Sequence, residues 1–251
     1  MERHQGEWTV DGEPTDERSN ASAAALSNAG WSRPASAPLG FKIQGAAASD
    51  NLGSSVAHAG DINGDGIDDL IIGAPGVLGT GAAYVVFGSN EGFPALIDLG
   101  QLVNGKRVLE IRGDTPNYFL GASVSSAGDV NNDGIDDFLI GAPPRGNSPN
   151  GAAYLVFGSN VGFGSLIDEI EQPELGGSKI EFSAGFDSTG FSVSSAGDVN
   201  GDGIDDFIIG IPTVDFYNTT GAAYVIFGVD DQFPSSVDLQ EVSQGRGGFR
   251  G

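Results

Sequence analysis

The sequence predicts an all-β protein, a β-propeller-type array of three four-stranded blades. Three observations predict it: a 17-residue block recurs three times, the apolar residues come as short β-rich runs bounded by Gly, Pro, Asn and Asp, and no stretch inside the repeats keeps a 3.6-residue period. The block AGDINGDGIDDLIIGAP from Ala59 returns as AGDVNNDGIDDFLIGAP from Ala127 and as AGDVNGDGIDDFIIGIP from Ala196. Their first acidic residues, Asp61, Asp129 and Asp198, are 68 and 69 residues apart. A second block, GAAYVVFGSN from Gly81, returns from Gly151 and Gly221 at spacings of 70 and 70. The slip between the two periods falls after Pro75, Pro143 and Pro212, where linkers of unequal length read as a surface loop.

Within the first unit the expected strands are Phe41 to Gln44, Ser54 to Ala59, Asp69 to Ile72 and Ala82 to Phe87, with counterparts in the next two. Four short strands cannot bury both faces of their own sheet, so the units must stack, and radial stacking of such sheets makes a propeller. The repeat region spans 38–251, with units at about 41–108, 109–177 and 178–246. Residues 1–37 match no repeat and read as a flexible leader, while 247–251 resembles the Gly-Phe-Lys that opens the first unit at Gly40 and reads as the start of a fourth. Three units fall short of the roughly 4 to 8 blades of a closed ring. A clipped piece of a longer chain is the preferred explanation; self-association of copies to complete a ring and an open array with sticky edges remain the others.

With 34 acidic residues against 11 basic ones the formal net charge is -23, yet only 18% of residues are charged and 39% are hydrophobic, a globular balance. Such a surface repels phosphate backbones and anionic lipid, which argues against nucleic-acid partners and electrostatic membrane docking. Cations are its natural partners. There is no Cys, and the two histidines, His4 and His58, leave little for a thiolate site, a multi-histidine site or a catalytic triad. No run reaches the roughly 18 apolar residues of a membrane span, so no membrane insertion is expected, and the first 20 residues are too polar for a signal peptide.

Each long block contains Asp-x-Asn-x-Asp-Gly-x-Asp-Asp. Oxygen ligands at alternate positions let a tight loop wrap a hard cation, and the Gly supplies the freedom for the turn. The expected ligands are Asp61, Asn63, Asp65, the Ile67 carbonyl and Asp69; then Asp129, Asn131, Asp133, the Ile135 carbonyl and Asp137; then Asp198, Asn200, Asp202, the Ile204 carbonyl and Asp206. Ca²⁺ accepts a flexible all-oxygen shell more readily than Mg²⁺, so one Ca²⁺ per repeat, about three ions, is expected. Three such ions would bring -23 to -17. The loops are not EF-hands, because the twelfth position is Ile72, Ile140 or Ile209 in place of a bidentate Glu. Hairpin turns alone also favour Asn-Gly and Asp-Gly; three copies keeping one ligand set in phase outweigh that reading. Asp68, Asp136 and Asp205 are left out of the ligand set, facing solvent or supporting the loop.

Leu52-Gly53 before the loop, the loop itself and Gly73-Ala74-Pro75 after it resemble the FG-GAP repeat of the integrin alpha-chain propeller. The second unit matches with Leu120-Gly121 and Gly141-Ala142-Pro143; the third departs with Thr189-Gly190 and Gly210-Ile211-Pro212. The resemblance implies a seven-bladed parent fold, incomplete here, with calcium loops on hairpins, binding on the opposite face, and an extracellular or cell-surface location. It implies a calcium-binding, non-catalytic module for cell adhesion or protein contact, with an unidentified protein or glycan ligand. The alternative is an accessory propeller of a larger extracellular enzyme, such as phosphatidylinositol-glycan-specific phospholipase D. No nucleophile elbow, zinc-protease helix or phosphate-binding loop is present, so no enzyme activity is expected.

Weaker signals have plainer readings. Arg112-Gly113-Asp114 is read as a coincidence in the loop after a strand, and the sequons at Asn20 and Asn218 as chance. His58 reads as a partly buried strand residue. Tyr84, Phe87, Tyr154, Phe157, Tyr224 and Phe227 recur in phase with the strands and read as inter-blade core.

Overall fold

The computed structural model describes residues 39–101, 107–116, 118–144, 150–163, 166–167, 176–183, 187–212, 220–230 and 233–246. The expected leader, the expected start of a fourth unit and the two sequon asparagines lie outside the described residues. From Phe41 onward the chain forms one compact unit. Its first repeat supplies β1 (Lys42–Gln44), β2 (Val56–Gly60), β3 (Asp69–Ala74), β4 (Ala82–Val86) and β5 (Leu96–Asp98). The second supplies β6 (Val108–Arg112), β7 (Ser123–Gly128), β8 (Asp137–Ala142), β9 (Ala152–Val156) and β10 (Leu166–Ile167). The third supplies β11 (Gly177–Glu181), β12 (Ser192–Gly197), β13 (Asp206–Ile211), β14 (Ala222–Ile226) and β15 (Ser236–Asp238), followed by a short helix α1 (Leu239–Ser243). The Asp238 carboxylate caps that helix by accepting the Gln240 N–H.

Strands β3, β8 and β13 read as unbroken apolar runs after their first Asp, the pattern of a strand covered on both faces. Every residue of β8 is buried. Hydrogen bonding joins β2-β3-β4-β6-β10 into one five-stranded sheet and β7-β8-β9-β11-β15 into a second; β12-β13-β14 form a three-stranded sheet and β1-β5 a parallel pair. The blades are therefore built differently from four strands of one unit. Each five-stranded sheet takes three strands from one repeat and two from the next, and the fifth strand of each repeat pairs in parallel with that repeat's own first strand. A periodic sequence specifies the length of its repeat but not where the sheet is cut. Backbone pairing settles the cut, and here β4 pairs antiparallel with β6, and β9 with β11, across the repeat boundary. Adjacent blades are thereby interlocked through their hydrogen bonds as well as through side-chain packing.

The core lies between sheets. Ile62, Val85, Val124, Phe138 and Tyr154 belong to one cluster shared by the first and second sheets, and Val130, Leu155, Ile180, Phe207 and Phe233 to one shared by the second and third. Tyr84 and Tyr154 are buried, Phe87 stacks on Phe163, and Phe157 meets Phe233 edge-on, as an inter-blade role requires. Phe227 is exposed because no described element covers its face of the third sheet, whereas Tyr224, on the opposite face near Phe182, is half-buried. His58 is exposed where partial burial was expected. It shares a face of β2 with Val56, and the equivalent face of β7, with Val124 and Ser126, is buried against the preceding blade. Arg112 ends β6 and pairs with Glu110, Nε to Oε1 at 3.0 Å, so Arg112-Gly113-Asp114 begins within a sheet.

Backbones approach closely where sheets meet. A Cβ on Gly73 would land on the carbonyl oxygen of Gly121, and one on Gly141 would land on that of Gly190, which is the physical requirement behind the Gly of Gly-Ala-Pro. Thr189 occupies the fully buried place held by Leu120 in the second repeat. Nearby, the buried Asp187 accepts the Thr189 N–H at 2.7 Å. Burial pushes the Asp187 carboxyl above its ordinary value, and hydrogen bonds from Thr189 and Gly151 offset that only in part.

Two outcomes follow from this packing. Gly73→Ala will destabilise the fold by about 1–3 kcal/mol in urea denaturation, whereas Gly40→Ala, whose Cβ meets open space, will change stability little. Because the Asp187 pKa is raised on folding, the stability it contributes is present below the ordinary carboxylate range and is lost as pH rises. Asp187→Asn will accordingly be more stable than the parent at neutral pH, and thermal melts will show that gain disappearing as pH falls towards 4, the ordinary Asp range.

Candidate metal centres

The three Asp-rich loops join β2 to β3, β7 to β8 and β12 to β13. They share one set of four hydrogen bonds from backbone N–H groups to side-chain oxygens. In the first, the Asp65 N–H is shared between Asp61 Oδ1 at 3.0 Å and Asn63 Oδ1 at 2.9 Å. Asp61 Oδ2 accepts the Gly66 N–H at 2.7 Å, and Asp65 Oδ1 accepts the Ile67 N–H at 2.9 Å. The second loop repeats these bonds among Asp129, Asn131, Asp133, Gly134 and Ile135 at 2.8 to 3.0 Å. The third repeats them among Asp198, Asn200, Asp202, Gly203 and Ile204 at 2.9 to 3.1 Å. Positions one and three thus bring their side-chain oxygens to the same N–H in every copy, with position five between them. Ile67, Ile135 and Ile204 close the loops, and their side chains lie against Gly88, Gly158 and Gly228.

The ninth position behaves differently. Asp69, Asp137 and Asp206 are fully buried, and both oxygens of each accept backbone N–H groups. Asp69 takes the Gly88 N–H on Oδ1 at 2.7 Å and the Ile62 N–H on Oδ2 at 3.2 Å. Asp137 takes those of Gly158 and Val130, at 2.9 and 3.0 Å, and Asp206 those of Gly228 and Val199, both at 2.9 Å. Each buried carboxylate therefore ties the start of its loop to the end of the strand that follows the next hairpin. Among the described residues, no three Asp, Glu, His or Cys side chains form a ready-made cage.

Burial pushes the Asp137 carboxyl up to about 8, against the pull of the Gly158 and Val130 N–H groups, and the charges of Asp133 and Asp129 add to the rise. Burial likewise raises Asp69 to about 6, with Asp65 and Asp61 contributing. Each loop is thus a concentration of negative charge and carbonyl-type oxygen with no basic side chain among its nine residues. That donor set fits a hard cation, whose charge would relieve the mutual repulsion of the carboxylates. Asp61, Asn63, Asp65, the Ile67 carbonyl and Asp69 would hold it in the first loop, and their counterparts in the others.

Residues 52–86, 120–156 and 189–226 match the FG-GAP repeat. The chain carries three FG-GAP repeats. Each match runs from the residue before the Gly of the leading pair to the last residue of β4, β9 or β14, so an FG-GAP repeat holds the three strands that share one sheet together with the Asp-rich loop. The chain is 34% identical over 168 residues to Integrin alpha pat-2 of Caenorhabditis elegans, covering 63% of this chain and 13% of the relative. It is 33% identical over 170 residues to Phosphatidylinositol-glycan-specific phospholipase D of Bos taurus, covering 64% and 18%. Integrin alpha-5 of Xenopus laevis is 31% identical over 188 residues, covering 70% and 16%. The chain spans less than a fifth of the length of these relatives.

Two sets of residues around the loops are not marked by the motif itself. Gly88, Gly158 and Gly228 cap the buried ninth Asp, and their recurrence after Phe in the second block was the available signal. Asp136 and Asp205 bond to neighbouring loops, which spacing alone does not reveal. No helix among the described residues is long and apolar enough to cross a membrane.

The clamp formed by the ninth residue can be checked without any metal. In chelator, Asp137→Ala leaves two buried N–H groups without acceptors and will cost about 2–5 kcal/mol by denaturant unfolding. Asp137→Asn retains one acceptor oxygen and will cost less.

Proposed function

We propose that this chain is a calcium-binding, non-catalytic FG-GAP module that serves adhesion or protein contact at the cell surface or outside the cell. The observation that carries the reading is the threefold recurrence of one loop scheme, in which Asp and Asn oxygens at positions one and three share a single N–H. Three hairpins that only turned the chain would have no need of the same clustered acids. The ligands are Asp61, Asn63, Asp65, the Ile67 carbonyl and Asp69, with the equivalent five in each of the other loops; Asp69, Asp137 and Asp206 bind through lone pairs left over from their backbone bonds. Calcium stabilises each loop and the two strands it joins, and free calcium is plentiful outside cells.

The similarity to integrin alpha chains supports adhesion to a protein or glycan ligand. The similarity to phosphatidylinositol-glycan-specific phospholipase D supports the alternative of an accessory propeller in a larger extracellular enzyme. A catalytic domain in the full-length polypeptide discriminates the two. The third sheet also exposes Val199, Val225 and Phe227, while Val130 and Leu155, the second-repeat counterparts of the first two, are buried under the next blade. That face fits another blade, and self-association to complete a ring is one way to supply it; the native mass in calcium measures this directly.

Calorimetry and thermal melts in calcium and in chelator test the metal reading. Asp65→Ala will lower the melting temperature in calcium while leaving the chelated protein unchanged. Equal loss in both conditions would make Asp65 structural, and identical melts of the parent in both would end the calcium proposal.

A further inference from the structure

The three loops are not independent. Asp136, at the eighth position of the second loop, reaches across the blade boundary and accepts the N–H of Asp61, the first residue of the first loop, on Oδ2 at 2.8 Å. Asp205, at the same position of the third loop, accepts the N–H of Asp129, the first residue of the second loop, at 3.2 Å. Backbone bonds reinforce both contacts. Ser159 donates to the Ile62 carbonyl and Val229 to the Val130 carbonyl, each at 2.9 Å.

The sequence makes room for this contact. Gly60 and Gly128 precede the first Asp of the receiving loops with φ of 84° and 77°, and a Cβ at either would run into the Asp136 or Asp205 carboxylate. The third copy supplies a built-in comparison. Gly197 occupies the same place, no described loop docks on it, and its Cβ would meet nothing within 4 Å. Asp68, the eighth residue of the first loop, has no preceding loop among the described residues and is exposed, whereas Asp136 and Asp205 are half-buried.

We infer that Asp136 and Asp205 are positioning residues that couple cation binding between neighbouring loops. The inference rests on the calcium reading above. Asp136 lies between Ile135 and Asp137, two residues of the second loop's ligand set, so a cation that orders that loop also fixes Asp136. Asp136 in turn fixes the backbone of Asp61, the first ligand of the first loop. The second loop therefore preorganises the first, and the third preorganises the second through Asp205. By linkage the coupling is reciprocal.

The test is a calcium titration of the whole chain followed by NMR at the amides of Gly66, Gly134 and Gly203, one reporter per loop. Asp133→Ala disables the second loop, and it will raise the calcium midpoint at Gly66 by about five-fold or more. In an Asp136→Ala background the further change Asp133→Ala will leave the Gly66 midpoint where Asp136→Ala alone put it. Asp136→Asn, which keeps an acceptor oxygen, will restore the dependence. A merely structural role for Asp136 would move all three reporters together, Gly203 included, and that result overturns the coupling. So does a Gly66 midpoint indifferent to Asp133→Ala, or a dependence that survives Asp136→Ala. If Asp136→Ala does not fold, Asp205→Ala with Asp202→Ala, read at Gly134, gives the same comparison one blade along. Parent protein whose three glycine amides ignore calcium would overturn the calcium reading and the coupling with it; calcium shifts without cross-dependence overturn the coupling alone.

Discussion

A fully buried aspartate at the ninth loop position holds each repeat together. Its two oxygens accept one N–H from the start of its own loop and one from the Phe-Gly segment that follows the last strand of the FG-GAP match. Taking a carboxylate out of water is costly unless its lone pairs find partners, and here two backbone donors supply them. The Asp-rich hairpin and the strand two connections later are thereby fixed relative to one another. Everything proposed for the loops depends on that frame, because the Asp, Asn and Asp at positions one, three and five keep their arrangement only while both ends of the hairpin are held.

The second organising feature is the offset between sequence repeat and sheet. Since β6 and β10 complete the sheet begun by β2, β3 and β4, no repeat can satisfy its backbone hydrogen bonds alone. The glycines at blade boundaries serve the same end from the other side of the sheet. Gly73 and Gly121 let strands of different repeats approach to a distance that no side chain permits, while Gly60 and Gly128 admit the neighbouring loop's carboxylate. Interlocked strands and cross-loop bonds make adjacent blades a cooperative pair, the arrangement in which an event in one loop is felt in the next.

The acidic composition acquires a local meaning in this frame. Nine carboxylates stand in the three proposed ligand sets, and Asp136 and Asp205 lie beside them as braces. A carboxylate that accepts a neighbour's N–H differs chemically from one turned into a loop, even though both are Asp in the same block. The similarity to integrin alpha chains and to phosphatidylinositol-glycan-specific phospholipase D is consistent with one propeller architecture set in otherwise different proteins.

Repeat length, all-β character and the positions of β1 to β4 were legible in the sequence, because strand and turn signals are local and were written three times over. The Asp-rich loops were legible for the same reason: a loop of nine residues carries its own turn chemistry. What the tertiary structure alone decided was pairing and burial. Whether β6 joins the strands before it or after it, whether His58 faces solvent, and whether Asp136 serves its own loop or its neighbour's depend on residues up to 75 positions away along the chain. The ninth Asp shows the division most plainly. Its place in the motif marked it as a ligand, but only the folded chain sets two N–H donors against it, because one of them comes from a segment about 20 residues further on.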